Sequence, residues 1–274
     1  MTPAETLMHT TVRLECTLDE NRYSTGTGFF FSFKVDDKTH VPVIITNKHV
    51  INQAKVGTFV LTRMNDQGEP ILGTTERIVL EDFEAQWIKH PDEDVDLAVF
   101  LLAPLYQQAD AKGIKFFAPP IHEDLLATSE KLAKLSGLEN ITMIGYPNGI
   151  WDQKNNMPIV RRGITATNPK YDYNGLPIFV IDCACFPGSS GSPVFIFDQG
   201  GFMDAKGTLN GGGRLILLGV LFAGPQHVAE GEIQTIEIPL AQVPISLSNI
   251  PNNLGFVIKA QKIAEFRRIL INSG

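Results

Sequence analysis

The sequence lacks both a long apolar run and a basic character, and this excludes two broad classes of protein. No stretch approaches the roughly 18 consecutive apolar residues that a membrane-spanning helix needs. Acidic residues outnumber basic ones, and the formal net charge is −7. Proteins that bind phosphate backbones normally carry an excess of Lys and Arg. We therefore expect neither a membrane nor a nucleic acid among the partners.

Cysteine is also scarce, because the chain has only Cys16, Cys183 and Cys185. An odd count leaves at least one thiol unpaired, and a metal site would need more Cys or His at close spacing. We expect three buried thiols, no metal and no cofactor. The thiols fit a reducing compartment, and the first residues lack the pattern of a secretory signal. A cytoplasmic location is the expectation.

Glycine and proline are abundant and separate many short apolar runs. About a dozen such runs, from 11–18 to 231–240, have the length and composition of β-strands. Strands and helices do not alternate, which disfavours a doubly wound α/β fold. The pattern favours an all-β sandwich or barrels. A helical spacing of apolar residues predicts a C-terminal helix, with Ile258, Ile263, Phe266, Ile269 and Leu270 on its apolar face.

The segment FPGSSGSPVF at 186–195 is a candidate site for a nucleophile. Gly188 and Gly191 flank a pair of serines in a predicted tight turn, where glycine lets successive N–H groups point into one concavity. Acyl transfer needs a hydroxyl beside such donors. An ordinary hairpin turn has the same composition, so the segment alone leaves both interpretations open.

Two further segments carry a candidate base and a candidate carboxylate. IITNKHVI at 44–51 places His49 just after an apolar strand, and HPDEDVDLAVF at 90–100 places Asp96 at the onset of another. A carboxylate in that position needs a partner, because burying an unpaired charge is costly. Alone, a histidine is more often structural, but a hydroxyl, an imidazole and a carboxylate together are the set that serine hydrolysis requires.

The three segments together resemble the trypsin-like peptidase family, in particular its HtrA-type bacterial branch. The order His, Asp, Ser along the chain is the one used by chymotrypsin. The resemblance covers roughly residues 10 to 270. The matching motifs are TNKHV around His49, DLAV at 96–99, GSSGSP at 188–193, GTGFFF at 26–31, MIGYP at 143–147, RRGITA at 161–166 and GVLFAG at 219–224.

This resemblance implies an all-β fold of two six-stranded antiparallel β-barrels, followed by a C-terminal helix, with the site in the cleft between the barrels. It also implies a division of the chain. The expected parts are an N-terminal barrel at 8–108 that carries His49 and Asp96, a linker at 109–119, a C-terminal barrel at 120–255 that carries Ser190, and the helix at 256–274.

The resemblance further implies a serine endopeptidase that works through an acyl-enzyme. Ser190 would be the nucleophile, His49 the general base and then the general acid, and Asp96 the orienting carboxylate. The N–H groups of Gly188 and Ser190 would form the oxyanion hole. Protein or peptide substrates are the expected partners, together with a regulatory protein, and the oligomeric state stays open.

The family pattern also places the substrate pocket. Ala184 lies six residues before the nucleophile, at the expected base of the pocket, and it carries no acid, so a preference for Lys or Arg is not expected. Phe222, Ala223 and Gly224 would form the wall and the edge on which a peptide docks as an added strand. We expect an apolar residue before the scissile bond.

Two residues depart from the family pattern. Ser192 stands where a second glycine usually follows the serine, and Ser189 stands where digestive relatives have an aspartate. In those relatives the aspartate pairs with a newly cut N-terminus, and Ser189 cannot form that ion pair. Activation by N-terminal cleavage is therefore not expected, and we expect a partner or the substrate to order the loops.

Other functions fit the same residues less well. An α/β-hydrolase needs Gly-x-Ser-x-Gly, which Ser192 interrupts, and a subtilisin-like order needs Asp36 or Asp37 to act ahead of His49 without that family's local motifs. The main alternative is a protease-fold module within a larger system, which binds peptides or regulates while cleaving little. A peptide-binding PDZ domain, common after HtrA-type proteases, is not expected here.

Overall fold

The computed structural model describes residues 1–224, 226–229, 248–251 and 253–271. The predicted strand at 231–240 lies outside these ranges, as do residues 272–274 of the predicted C-terminal helix. Within the described ranges, no helix is both long and apolar enough to span a bilayer.

Short strands make up most of the described chain, as the glycine and proline spacing predicts. The strands are β1 Thr11–Thr17, β2 Tyr23–Lys34, β3 His40–Thr46, β4 Val56–Met64, β5 Pro70–Glu81, β6 Trp87–Lys89, β7 Ala98–Leu101, β8 Ile121–His122, β9 Asn140–Gly145, β10 Ile159–Thr165, β11 Ile178–Asp182, β12 Pro193–Asp198, β13 Gly201–Met203, β14 Leu209–Gly211, β15 Arg214–Ala223, β16 Gln226–Ala229, β17 Ser248–Pro251 and β18 Leu254–Lys259. The helices are α1 Pro3–Met8, α2 Lys48–Ile51, α3 Ala103–Asp110, α4 Ser129–Ala133, α5 Gln261–Ala264 and α6 Phe266–Ile271.

The N-terminal half forms a single sheet with the strand order β5-β4-β1-β2-β3-β7-β6, and β8 pairs in parallel with β2. The two outer strands, β5 and β6, do not pair with each other in the described part of the chain. The prediction of a closed first barrel is therefore not confirmed. The last strand, β6, spans only three residues, which leaves little backbone for closing the sheet.

The C-terminal half contains a closed six-stranded barrel with the order β10-β11-β18-β15-β12-β9. Every adjacent pair for which the register is described is antiparallel. The predicted second barrel is thus confirmed. Two small hairpin-like ribbons, β13-β14 and β16-β17, accompany it. The division of the chain at 108, 119 and 255 stays a prediction.

The chain end differs from the expected single helix. The first residues of the predicted helix lie in β18, which pairs with both β11 and β15 up to Lys259. Sheet pairing on both sides satisfies the backbone of this segment, so it outweighs the helical spacing that the sequence showed. Two short helices, α5 and α6, follow the strand.

The alternation of side chains along β2 connects the sheet to the barrel. Phe29, Phe31 and Phe33 are fully buried in a cluster that also contains barrel residues such as Phe195. Phe30 points the other way, into a second cluster within the sheet. Burial of one such side chain contributes about 1.5–3 kcal/mol. This packing holds β2 against the barrel, and the candidate site lies at that contact.

Candidate active site

His49 lies in the short helix α2, which follows directly after β3. The neighbouring residue Val50 is buried, and it packs so closely on Gly26 that a Cβ atom at Gly26 would lie 2.4 Å from Val50 Cγ1. This contact fixes the helical turn on the sheet. The His49 side chain is 48% exposed, so the imidazole stays open to the solvent side.

Asp96 lies in the loop that leads into β7, and three hydrogen bonds join it to the histidine segment. The Asn47 side-chain amide donates to the Asp96 carbonyl oxygen at 2.8 Å. The His49 backbone N–H donates to Asp96 Oδ1 at 3.0 Å, and His49 Nδ1 lies 2.5 Å from Asp96 Oδ2. Because a carboxylate only accepts, Nδ1 donates, and Nε2 of a neutral imidazole is left as an acceptor.

The serine loop docks on the same sheet through Thr27 of β2. The Thr27 N–H donates to the Ser190 carbonyl oxygen at 2.8 Å, and Thr27 Oγ1 donates to the Gly188 carbonyl oxygen at 3.0 Å. Thr46 Oγ1 donates to the Thr27 carbonyl oxygen at 2.7 Å, three residues before His49. The segments that carry all three predicted catalytic residues therefore meet at one junction between sheet and barrel.

The Ser190 hydroxyl has a different partner in this arrangement. Ser190 Oγ donates to the Phe222 carbonyl oxygen across 3.5 Å, a long and weak contact for an O–H donor. Within the described residues, no hydrogen bond joins Ser190 Oγ to His49. The imidazole–carboxylate pair is thus formed, and the bond between hydroxyl and imidazole is not.

Gly191 shows why this turn needs glycine. Its φ of +87° lies in the left-handed region, and a Cβ atom there would lie 1.9 Å from the Thr27 carbonyl oxygen and 2.6 Å from Thr46 Oγ1. Gly188 has a φ of +86° and is similarly close to the Tyr146 carbonyl oxygen. Any larger residue at Gly191 would push the serine loop away from the sheet.

The backbone of the serine loop leaves two donors free. The Pro187 carbonyl accepts from the Asn148 N–H, and the Ser189 carbonyl accepts from the Ser192 N–H. In a trans peptide the following N–H points away from the carbonyl, so the N–H groups of Gly188 and Ser190 turn away from these partners. Within the described residues neither donates to a protein acceptor.

The side chains that depart from the family pattern are buried. Ser189 and Ser192 are 1% and 0% exposed, and their hydroxyl oxygens have no hydrogen-bond partner among the described residues. Ser192 fills the space beside Gly145, where a Cβ atom would lie 2.0 Å from Ser192 Oγ. The serine at 192 therefore occupies a gap that only glycine on β9 leaves open.

The predicted pocket residues lie beside the serine loop, and the structure adds a residue that the sequence analysis missed. Arg161 Nη1 donates to the Ala184 carbonyl oxygen at 3.0 Å. A Cβ atom at Gly224 would lie 3.7 Å from Cys185 Cβ, which brings the two predicted pocket segments together. Ala223 continues β15, and its side chain lies outside the described atoms. In the sequence, Arg161 belongs to the RRGITA motif, which indicated membership of the family and no role in the pocket.

The three cysteines are free and buried, as the sequence predicts. Burial raises the pKa of the Cys16 and Cys185 thiols to about 12 and also raises that of Cys183. These thiols stay protonated at neutral pH, and protonated thiols are poor metal ligands. The described residues contain no group of three or more His, Cys, Asp or Glu side chains placed to hold a metal ion.

Two of the solved structures that are similar to this chain are proteases. The Rv3671c protease from M. tuberculosis in its active form is 16% identical, with 98% of this chain and 84% of that chain covered and a TM-score of 0.47. The serine endoprotease from Yersinia pestis is also 16% identical, with 100% and 68% covered and a TM-score of 0.47. We base no conclusion on similarities this low. No curated protein sequence matches the chain.

A family model gives a firmer result. The model of the trypsin-like peptidase domain matches residues 26–203, which is more than half of the chain and includes all three predicted catalytic residues. The matched range begins in β2 and ends in β13, so it includes all strands of the sheet except β1 and the start of β2, the junction, and four of the six barrel strands. The chain belongs to the trypsin-like peptidase domain family.

Proposed function

We propose that this protein is a serine endopeptidase that hydrolyses peptide bonds through an acyl-enzyme, with Ser190, His49 and Asp96 as its catalytic triad. The observation that carries the proposal is the bond of 2.5 Å between His49 Nδ1 and Asp96 Oδ2. It lies at the junction where Thr27 holds the backbone of the serine loop. Family membership supports the reaction class.

In this mechanism Ser190 Oγ attacks the carbonyl carbon of the substrate while His49 Nε2 takes the hydroxyl proton. Asp96 stabilises the imidazolium that forms. The N–H groups of Gly188 and Ser190 bind the oxyanion of the tetrahedral intermediate. His49 then gives its proton to the leaving amine, and the acyl-enzyme remains. Water, deprotonated by His49, releases the acyl group and restores the serine.

The first step requires the Ser190 hydroxyl to leave Phe222 and turn towards His49. The contact that it gives up spans 3.5 Å, so the loss is at most about 0.5–1.5 kcal/mol. Substrate binding can supply this amount. From Ser189 we expect that the substrate or a partner orders the loops. This expectation fits a site in which the Ser190 hydroxyl is not bonded to His49.

The substrate would be a protein or peptide that docks as an added strand along Phe222, Ala223 and Gly224. The N–H groups and carbonyls of such an edge bind any sequence, so selectivity has to come from the pocket. The preference for an apolar residue, which the sequence suggests from Ala184, stays a prediction. It did not take account of Arg161, whose guanidinium bonds the carbonyl of Ala184.

A fluorophosphonate probe tests the proposal, because it phosphonylates, with release of fluoride, only a serine activated by its own catalytic base. We expect labelling of the wild-type protein at Ser190, located by peptide mass spectrometry. Labelling is lost in Ser190→Ala and falls at least a hundredfold in rate in His49→Ala. Ser189→Ala and Ser192→Ala are matched controls, because they remove neighbouring hydroxyls and should leave labelling in place.

Equal labelling of wild type and Ser190→Ala would remove Ser190 from the mechanism. A second candidate function is a protease-fold module that binds or regulates peptides with little turnover. The absence of a bond between Ser190 and His49 among the described residues favours it. A folded wild-type protein that binds peptides but resists labelling, with and without peptide present, would support this second candidate.

A further inference from the structure

Arg161 places a cation at the base of the proposed substrate pocket. It lies in β10, and its Nη1 atom donates to the Ala184 carbonyl oxygen at 3.0 Å. Its guanidinium carbon lies 4.9 Å from the centroid of the Phe186 ring. Both contacts are with the segment that leads to Ser190, so the positive charge lies under the same loop that presents the hydroxyl.

The guanidinium has donors to spare. A guanidinium carries five N–H donors, and the Ala184 carbonyl takes one of them. Arg161 Nε is buried without a hydrogen-bond partner, and no ion pair of Arg161 is found, both within the part of the chain that the structure describes. A buried donor without a partner costs about 1–3 kcal/mol. An external acceptor in this place would therefore be stabilised.

Among the described residues, none forms an ion pair with Arg161. Cys183 and Cys185 flank Ala184, and burial raises the pKa of both thiols, that of Cys185 to about 12. The positive charge of Arg161 lowers the pKa of both thiols, but burial raises it by more. Asp182 is exposed and forms no ion pair with Arg161 among the described residues. The Phe186 ring stabilises the cation without neutralising it.

One short segment, from Ala184 to Ser190, joins the place that Arg161 contacts to the hydroxyl. Ser190 Oγ bonds the carbonyl of Phe222 in β15. Gly224 lies against Cys185, where an added Cβ atom would come within 3.7 Å of Cys185 Cβ. β15 and the segment that carries Ala184 therefore approach each other at two places, beside Ser190 and beside Cys185.

We propose that Arg161 makes the enzyme select substrates with Asp or Glu immediately before the scissile bond. The proposal rests on the proposed function, since it assigns the specificity of the same site. A guanidinium and a carboxylate can pair through two parallel hydrogen bonds, which an amide or an aliphatic side chain cannot match. The expectation of an apolar residue followed from Ala184 alone, whose own side chain is neutral.

The test uses four fluorogenic peptides that are identical except for Glu, Gln, Leu or Lys at the position before the scissile bond. Glu and Gln have the same shape, so their ratio isolates the charge. We expect kcat/KM of the wild type to be at least tenfold higher for the Glu peptide than for any of the others. In Arg161→Met, which keeps an unbranched stem, the Glu to Gln ratio should fall to about one.

Arg162→Met is the matched control. Arg162 is the next residue on β10, is exposed, and points to the opposite face of the strand. This variant removes the same charge from the chain but should keep the Glu preference. An uncharged alkyl fluorophosphonate, applied to the wild type and to Arg162→Met, reports on the triad without using the charge preference, and its labelling rate should stay within about threefold of wild type in Arg162→Met.

The outcomes separate the two proposals. Normal labelling together with equal cleavage of the Glu and Gln peptides, or with a preference for Leu, overturns the assignment of Arg161 and leaves the proposed function intact. A Glu preference that survives in Arg161→Met does the same. Failure of labelling in the wild type removes the proposed function itself, and the specificity proposal goes with it.

Discussion

Replacement of Gly191 by alanine tests whether the serine loop depends on close contact with the sheet. An alanine there is strained by about 1–2 kcal/mol, because its φ of +87° lies in the left-handed region. In addition, its Cβ atom would lie 1.9 Å from the Thr27 carbonyl oxygen, so the loop has to move. Movement breaks the bond from the Thr27 N–H to Ser190 and the bond from Thr46 to Thr27.

These losses can be estimated from the contacts. Each broken hydrogen bond costs about 0.5–1.5 kcal/mol, and the bond from the Gly191 N–H to the Leu221 carbonyl is also at risk. Three bonds together add about 1.5–4.5 kcal/mol to the backbone strain. The total is a large part of the 5–15 kcal/mol, roughly, that holds a typical domain folded. We expect Gly191→Ala to lower the free energy of unfolding by several kcal/mol.

Gly175→Ala is the matched control, because Gly175 has a φ of +77° and no atom within 4 Å of an added Cβ. This variant has a backbone strain of about 1–2 kcal/mol but no steric clash. Urea unfolding at equilibrium measures both variants, and fluorophosphonate labelling reports on the loop. Labelling should fall at least tenfold in Gly191→Ala and stay near wild type in Gly175→Ala. Equal stability losses in the two variants would refute the reasoning.

Three other predictions concern single groups. Asp96→Asn should reduce kcat by about 10⁴-fold with little change in stability, because an amide no longer holds Nδ1 as the donor; peptide hydrolysis rates check this. With pKa values of about 12, Cys16 and Cys185 should react with iodoacetamide at pH 8 about a thousandfold more slowly in the folded than in the unfolded protein, measured by mass spectrometry. Burial lowers the pKa of His90 below its ordinary 6.5, and its Nε2 lies 3.2 Å from Glu265. As the pH falls, the unfolded state therefore binds this proton before the folded state does. The free energy of unfolding should be full above pH 6.5 and fall as the pH drops below it. His90→Gln should lose less of this free energy between pH 8 and 5.5, measured by urea titrations.

The catalytic candidates could be proposed from the sequence because each lies in a short motif with its own chemistry. His49 follows a strand, Asp96 precedes one, and Ser190 lies in a glycine-flanked turn, and their order along the chain matches one family. What could not be predicted is how the side chains orient. The Ser190 hydroxyl bonds Phe222, which depends on where β15 ends relative to the turn.

Sequence alone determined the features that local pattern encodes. These are the many short strands and the buried thiols, whereas the closed barrel of the second half and the family were inferred from the resemblance of the ordered motifs. Alternation with period two and turn-forming glycines act over a few residues, so they can be recognised without knowing what each strand pairs with. The C-terminal helix was placed too early for the same reason, since its spacing is local and the pairing of β18 is not.

Tertiary structure decided the features that depend on residues far apart along the chain. The first sheet stays open in its described part, His49 meets Asp96 across 47 positions, and Arg161 reaches Ala184 across 23. Such contacts depend on strand order and register, and a shift of one residue would turn Arg161 to the other face of β10. No local pattern carries that information, because the register is set by the packing of the whole barrel.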